Sequence, residues 1–253
     1  LIFRGVAFEF RHKAVRSTTR KFWNGAFFGG SATAAFSQGL MLGGMIQGIS
    51  VEGGAFAGGA FDWLTPFSVL VGLAVVIGYL MLGACWLVLK TEGDLFLRAR
   101  KWARLSLAGV AVAFLAVSLA TLAIDPTVGE HWGFSMTHID FAKLLPLSPA
   151  PLFFCAWLWR DLSMKPGQGG APDWRPYLLA AGIFLSGYIG LGVSLYPYIV
   201  PFEYTLWEAA ARDNALAFML VGAAIMLPVI LLYTAFVYRL FWGKVKPGDG
   251  YHA

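Results

Sequence analysis

Residues 1–21 read LIFRGVAFEFRHKAVRSTTRK. The stretch begins apolar and ends in five Lys/Arg between Arg11 and Lys21. An apolar run that empties into a basic cluster is the pattern of a transmembrane helix leaving the bilayer on the side where positive charge collects. Two charges interrupt the apolar part, Arg4 and Glu9. A charge at membrane depth is costly unless it has a partner or a function. The stretch starts in mid-pattern without an initiator Met, so residues 1–10 are read as the end of a truncated helix whose beginning precedes the chain.

The remaining sequence repeats the pattern. Of 253 residues, 58% are hydrophobic and 13% charged, with a mean hydropathy of +0.66. Soluble domains are nearer 45–50% apolar and about 25% charged. The apolar runs reach helix length, about 20 residues, rather than the ~10-residue alternation of membrane strands. The expected class is an all-α integral membrane protein of helix-bundle architecture. Six full transmembrane helices are expected at about 22–48, 63–89, 105–124, 144–162, 177–196 and 215–242, besides the helix end at 1–10. Gly43-Gly44 and the polar Gln38 and Gln47 suggest that 22–48 packs closely against a neighbour. Pro66 suits a first helical turn, and Pro228 suits a kink.

Charge tests this layout. If residues 11–21 are cytoplasmic, sixteen Lys/Arg fall on the cytoplasmic side, in 11–21, the charged segment 90–104, and around Arg160, Arg175, Arg239 and Lys244. Only Lys143 and Arg212 fall opposite, with Arg4 within the membrane. So uneven a split matches the positive-inside rule and places the C-terminus in the cytoplasm. It also accounts for the net charge of +5 without nucleic acid as a partner.

The chemistry available is limited. A haem held inside a bundle needs axial His or Met at membrane depth. The four histidines, His12, His131, His138 and His252, all lie in expected loops or tails. His131 and His138, with Glu130 and Asp140 nearby, read as solvated loop residues before they read as a metal site. Met41 and Met45, at i, i+4, read as packing. Cys85 and Cys155 lie in apolar runs without a CxxC, as small buried side chains do. No nucleotide loop, GxSxG or HExxH is present. Arg4 and Glu9 are about 7.5 Å apart along a helix and about 140° around it, so they face different partners. Arg4 either holds an anionic group (a carboxylate, a partner's haem propionate, a lipid head) or snorkels to the interface. Glu9 either handles protons or pairs at the interface with Arg11 and Lys13. Aromatic residues at span ends, Trp207 among them, form an interfacial belt, a setting that also suits a quinone ring.

Several phrases carry a family resemblance. RGVAFEFRHK (Arg4–Lys13), KTEGDLFLRARKWA (Lys90–Ala103), YPYIVP followed by TLWEAA (Tyr196–Ala210) and LPVILLYTAFVYRLFWGKV (Leu227–Val245) resemble subunit II of cytochrome bd-type quinol oxidases, including the cyanide-insensitive branch. The resemblance runs essentially end to end. It implies a fold of two four-helix bundles plus a peripheral helix, nine spans in all. Residues 1–89 would then be the remainder of the first bundle and the start of the second. Residues 90–242 would supply the rest of the second bundle and the peripheral helix, and 243–253 a cytoplasmic tail of a single membrane domain.

The implied role is a haem-less subunit of a complex that oxidises quinol and reduces dioxygen to water. Haem b and haem d-type groups would sit in a partner, subunit I, in a heterodimer. The implied site is the bacterial inner membrane. A quinone held as a structural ligand, bound lipid and a small accessory subunit are further implied partners. Arg4 and Glu9 match the family's charged helix end; Trp207 and Glu208 match its extracytoplasmic Trp-acid pair, on the side where quinol is oxidised. The competing reading is a secondary transporter, which should show midplane charges or broken helices in matching halves.

Overall fold

The computed structural model describes residues 2–124, 149–164, 172–201 and 203–245. The expected loop 125–143 with His131 and His138, the start of the expected fourth span at 144–148, and His252 lie outside the described residues. Seven helices are described: α1 (Ile2–Lys13), α2 (Ser17–Ile46), α3 (Pro66–Lys90), α4 (Gly93–Ile124), α5 (Pro149–Ser163), α6 (Arg175–Leu195) and α7 (Asp213–Leu240). Two short hairpins accompany them, β1 (Val51–Glu52) with β2 (Ala55–Phe56), and β3 (Tyr198–Val200) with β4 (Tyr204–Thr205).

On length and composition α3, α4 through Thr121, α6 and α7 are able to cross a membrane. The chain is therefore a helical membrane protein. For α2 and α5 the expected span rests on the sequence pattern. α2 runs 30 residues, about 45 Å, but Gly, Ser and Asn dilute its apolar content; α5 is described over 15 residues.

Helix boundaries differ from the hydropathy reading in one informative place. α4 begins at Gly93, so the charged segment 90–104 is mostly helix and not loop; only Thr91 and Glu92 separate it from α3. The reason lies in a stripe at i, i+4, i+8, where Ala99, Ala103 and Leu107 are all buried. The stripe carries the apolar face of α4 down through the basic residues, which occupy the other faces. α2 likewise starts at Ser17 and not near 22.

α3 is the hub. It packs against α2 on one side and against α4 and α6 on the other; α4 packs on α5 and α5 on α6, while α1 packs on α2. Met81, Ala84 and Cys85 of α3 join Ala103, Leu107, Leu158, Leu162, Leu179, Ala180 and Ile183 in one core. The start of α3 is well defined: Pro66 sits at its first position, and Thr65 and Ser68 form a reciprocal capping box, satisfying helix-end N–H groups that would otherwise lack acceptors. Thr65 also donates through Oγ1 to Gln47 Oε1, and Tyr79 donates to Gln38 Oε1 at 2.9 Å. Gln38 of α2 and Gln47 just past its end thus bond across to α3 and its cap, as polar residues on packed membrane helices do. α2 buries one face only, at Ala35, Gly39, Leu40 and Gly43.

α7 stands apart. None of its described residues is buried, although it is apolar all round. Pro228 lies within it. It is fastened at its C-terminal end. Lys90 Nζ donates to the carbonyls of Phe241 (2.8 Å) and Gly243 (3.2 Å), and Val245 N–H donates to the Lys90 carbonyl at 2.8 Å. Lys244 meets Asp173 at 2.5 Å, and Tyr238 sits edge-on to Trp86.

Candidate functional site

The antiparallel helices divide the charged residues between two ends. One end gathers the C-termini of α1, α3, α5 and α7 with the N-termini of α2, α4 and α6. The other gathers the two hairpins.

At the first end α1 carries Arg4 and Glu9. Arg4 is exposed, with its backbone against Gly30 of α2. Glu9 lies 3.4 Å from Lys13, one turn on, with both side chains largely exposed. An exposed i, i+4 pair of this kind contributes only a few tenths of a kcal/mol, about 0.3–0.5. Arg4 and Glu9 are not brought together.

At the hairpin end Trp207 and Glu208 follow β4. Trp207 is 66% exposed and its ring meets Tyr196 edge-on, 6.0 Å between centroids. The Glu208 carboxylate accepts from the Thr205 backbone N–H (2.9 Å) and from Thr205 Oγ1 (2.8 Å), while Glu208 N–H donates back to Thr205 Oγ1 at 3.3 Å. This reciprocal arrangement holds the turn. The N–H bond first, and the hydroxyl bond second, keep the Glu208 carboxyl below its ordinary value of 4.5.

A carboxylate depressed in the folded state contributes stability above its unfolded pKa and loses it as pH falls through the folded pKa. The turn should therefore stay closed at neutral pH and open only in acid. A fluorine label on Trp207 should shift with a midpoint below 4.5, and Glu208→Gln should abolish the titration. A midpoint above 4.5 would show that Thr205 does not hold the group.

The strongest polar constellation is one that the sequence pattern does not single out. Asp161, at the end of α5, is fully buried, and Arg175 at the start of α6 grips it with two bonds, Nε to Oδ2 at 2.6 Å and Nη2 to Oδ1 at 2.7 Å. Arg100 of α4 donates through Nη2 to the carbonyls of Asp161 (2.9 Å), Leu162 (3.1 Å) and Met164 (2.6 Å). These are helix-end carbonyls with no partner inside α5, and a cation there also suits the helix dipole. The available signal is an acid inside the expected span 144–162, with an arginine just past the following linker.

His12, the one histidine among the described residues, sits at the exposed end of α1 with its ring edge-on to Phe8. Met41 and Met45 lie on exposed positions of α2, and Met81 is enclosed in the apolar core. His12, Met41, Met45 and Met81 do not offer a haem two axial ligands inside the bundle.

Fold and site together define a polytopic helical membrane protein with a hub helix, one ion-paired end and a loosely attached outer helix. The family model for cytochrome bd terminal oxidase subunit II matches residues 1–241, and the chain belongs to that family. It is similar to the cytochrome bd-I ubiquinol oxidase subunit 2 of Escherichia coli K12, at 25% identity over 98% of this chain and 72% of that protein. It is also similar to the cytochrome bd ubiquinol oxidase subunit 2 of Bacillus subtilis 168, at 26% identity over 97% and 70%. The probable cytochrome oxidase subunit 2 of Haemophilus influenzae is 24% identical over 97% and 71%.

Proposed function

We propose that this chain is the haem-less subunit of a membrane quinol oxidase that transfers electrons from two quinols to one dioxygen, releasing two quinones and two waters. The observation that carries the reading is the family match across nearly the whole chain. Haem b and haem d-type groups belong to the partner subunit I and supply the redox chemistry there. This chain's part is to assemble with that partner, to exclude water and to keep its own helices in register.

The side chains support a division of labour. Asp161, Arg175 and Arg100 hold α4, α5 and α6 together at one end. The apolar faces left exposed on α1, α2 and α7 are surfaces for lipid and for subunit I. Trp207 and Glu208 are placed in a bonded turn, which suits an extracytoplasmic contact close to quinol oxidation. Arg4 and Glu9 are assigned to the opposite rim, Arg4 toward an anionic group and Glu9 as an interfacial ion pair. The charge asymmetry favours an orientation with 11–21 and the C-terminus cytoplasmic, and the family match supports the bacterial inner membrane. A structural quinone and a small accessory subunit complete the proposed assembly.

A redox difference spectrum of the complex that co-purifies with the tagged full-length chain tests this reading. Bands of haem b and haem d are expected, and they should vanish when subunit I is deleted although the chain still inserts. A clean, haem-free, self-associated preparation from cells that hold both subunits would overturn it and favour a transporter.

A further inference from the structure

The corner between α1 and α2 forms a half-open hollow of about 220 Å³ lined by the exposed side chains of Arg11, His12 and Arg20. We propose that it binds the phosphate headgroup of an anionic phospholipid. The charges are strongly one-sided. Arg11, Lys13, Arg16, Arg20 and Lys21 lie within eleven residues, and no acid occurs between Glu9 and Glu52. Glu9 is engaged by Lys13, so it does not neutralise the hollow.

The two guanidinium groups are positioned by the protein. Arg11 donates through Nε to Asn24 Oδ1 at 2.6 Å, which leaves its terminal nitrogens free of that bond. Arg20 donates through Nη2 to the Ala14 carbonyl at 3.5 Å. Ala14, between the two helices, is buried, while the residues on either side of it are exposed. Two oriented planar forks suit phosphate oxygens, which they bind in pairs.

What adjoins the hollow favours a lipid over a free anion. Trp23 follows Arg20 on α2 and gathers Phe3, Phe10 and Phe22 around it, with ring centroids 6.5, 5.5 and 5.3 Å away. Phe3, Phe10 and Phe22 remain about half exposed or more. A charged headgroup seat beside exposed aromatic rings, where a basic segment gives way to the apolar run, matches the order of a phospholipid: phosphate, interface, acyl chain.

The test uses the full-length chain in its complex, held in micelles with equal phosphatidylglycerol and phosphatidylcholine, with retained lipid read by native mass spectrometry. The wild type should retain phosphatidylglycerol preferentially. Each guanidinium removed, in Arg11→Gln or Arg20→Gln, should lower that preference about fivefold, as expected for one basic residue at an anionic surface. Arg212→Gln, at the other end of the molecule, should leave the preference unchanged. A wild type that retains both lipids equally overturns the proposal without recourse to any variant, as does an unchanged preference in the Arg11/Arg20 double variant. Displacement of phosphatidylglycerol by millimolar inorganic phosphate would reassign the hollow to a free anion and also overturn it.

Discussion

Arg175→Leu should destabilise the protein more than any other single loss of a charge. The Asp161 carboxylate is fully buried at the end of α5 and takes both its short side-chain bonds from Arg175. Without that partner it is a buried charge with no counterion in contact. A buried charge left uncompensated costs about 3–5 kcal/mol, and a shift of that size changes the folded-to-unfolded ratio by roughly a hundredfold or more. Arg100 is the nearest remaining cation, but its Nη2 donates to three backbone carbonyls, so it replaces the bidentate partner only in part.

The outcome is separable from a simple loss of packing. Removing both charges, in Asp161→Leu with Arg175→Leu, should recover much of the loss, since apolar replacement of an ion pair is often neutral or stabilising. Thermal unfolding of the full-length chain in its complex, followed by size-exclusion chromatography, checks both results. If Arg175→Leu melts with the wild type, the pair does not latch α5 to α6. If the double variant is as unstable as the single one, the lost contribution is packing against Trp157, over which the Arg175 cation sits at 5.7 Å, and not charge.

The latch shows where sequence reasoning stops. Hydropathy locates the long helices because a run of about 20 apolar residues is the length that spanning a bilayer demands. Pro66 is recognisable as a first-turn residue from the fixed φ of proline. The start of α4 escapes hydropathy, which averages over faces, because the buried stripe Ala99, Ala103, Leu107 is narrow and made largely of alanine. The β1–β2 turn is present in Gly53-Gly54, whose φ values of +59° and +80° are those a two-residue hairpin turn requires; from composition alone the segment is only a Gly-rich loop. The Asp161–Arg175 pair is beyond pattern reading for a different reason. Its two members lie 14 residues apart across a linker, and nothing in either helix alone shows that their ends meet. Arg4, Glu9, Trp207 and Glu208 stand out by charge and position. The structure gives each its local partners or surroundings.

Gly39→Leu should separate α2 from the rest of the molecule. A Cβ at Gly39 would lie 2.6 Å from Gly72 Cα and 2.8 Å from the Val71 carbonyl oxygen. Both obstacles are backbone, so no rotamer change relieves the clash and one helix must move. One turn on, a Cβ at Gly43 would meet Ser68 Cα at 2.5 Å, so the close approach extends along the contact, as it does where small residues let membrane helices pack backbone to backbone. Overpacking a tight contact costs about 1–3 kcal/mol even where side chains can adjust, and a rigid backbone places this case at or above the upper end. Displacing α2 also breaks the bonds from Tyr79 to Gln38 and from Thr65 to Gln47, and it carries α1 with it. The expected result is a chain that still inserts, since leucine favours the membrane, but yields little assembled complex. The ratio of assembled to inserted chain, measured on one membrane preparation, reads this directly. Gly83→Leu is the matched control: a Cβ at Gly83 meets nothing within 4 Å, so the same gain in bulk on α3 should leave the ratio unchanged. Equal ratios for the two variants would mean that the α2–α3 contact yields without loss, and that α2 is not held by close backbone packing.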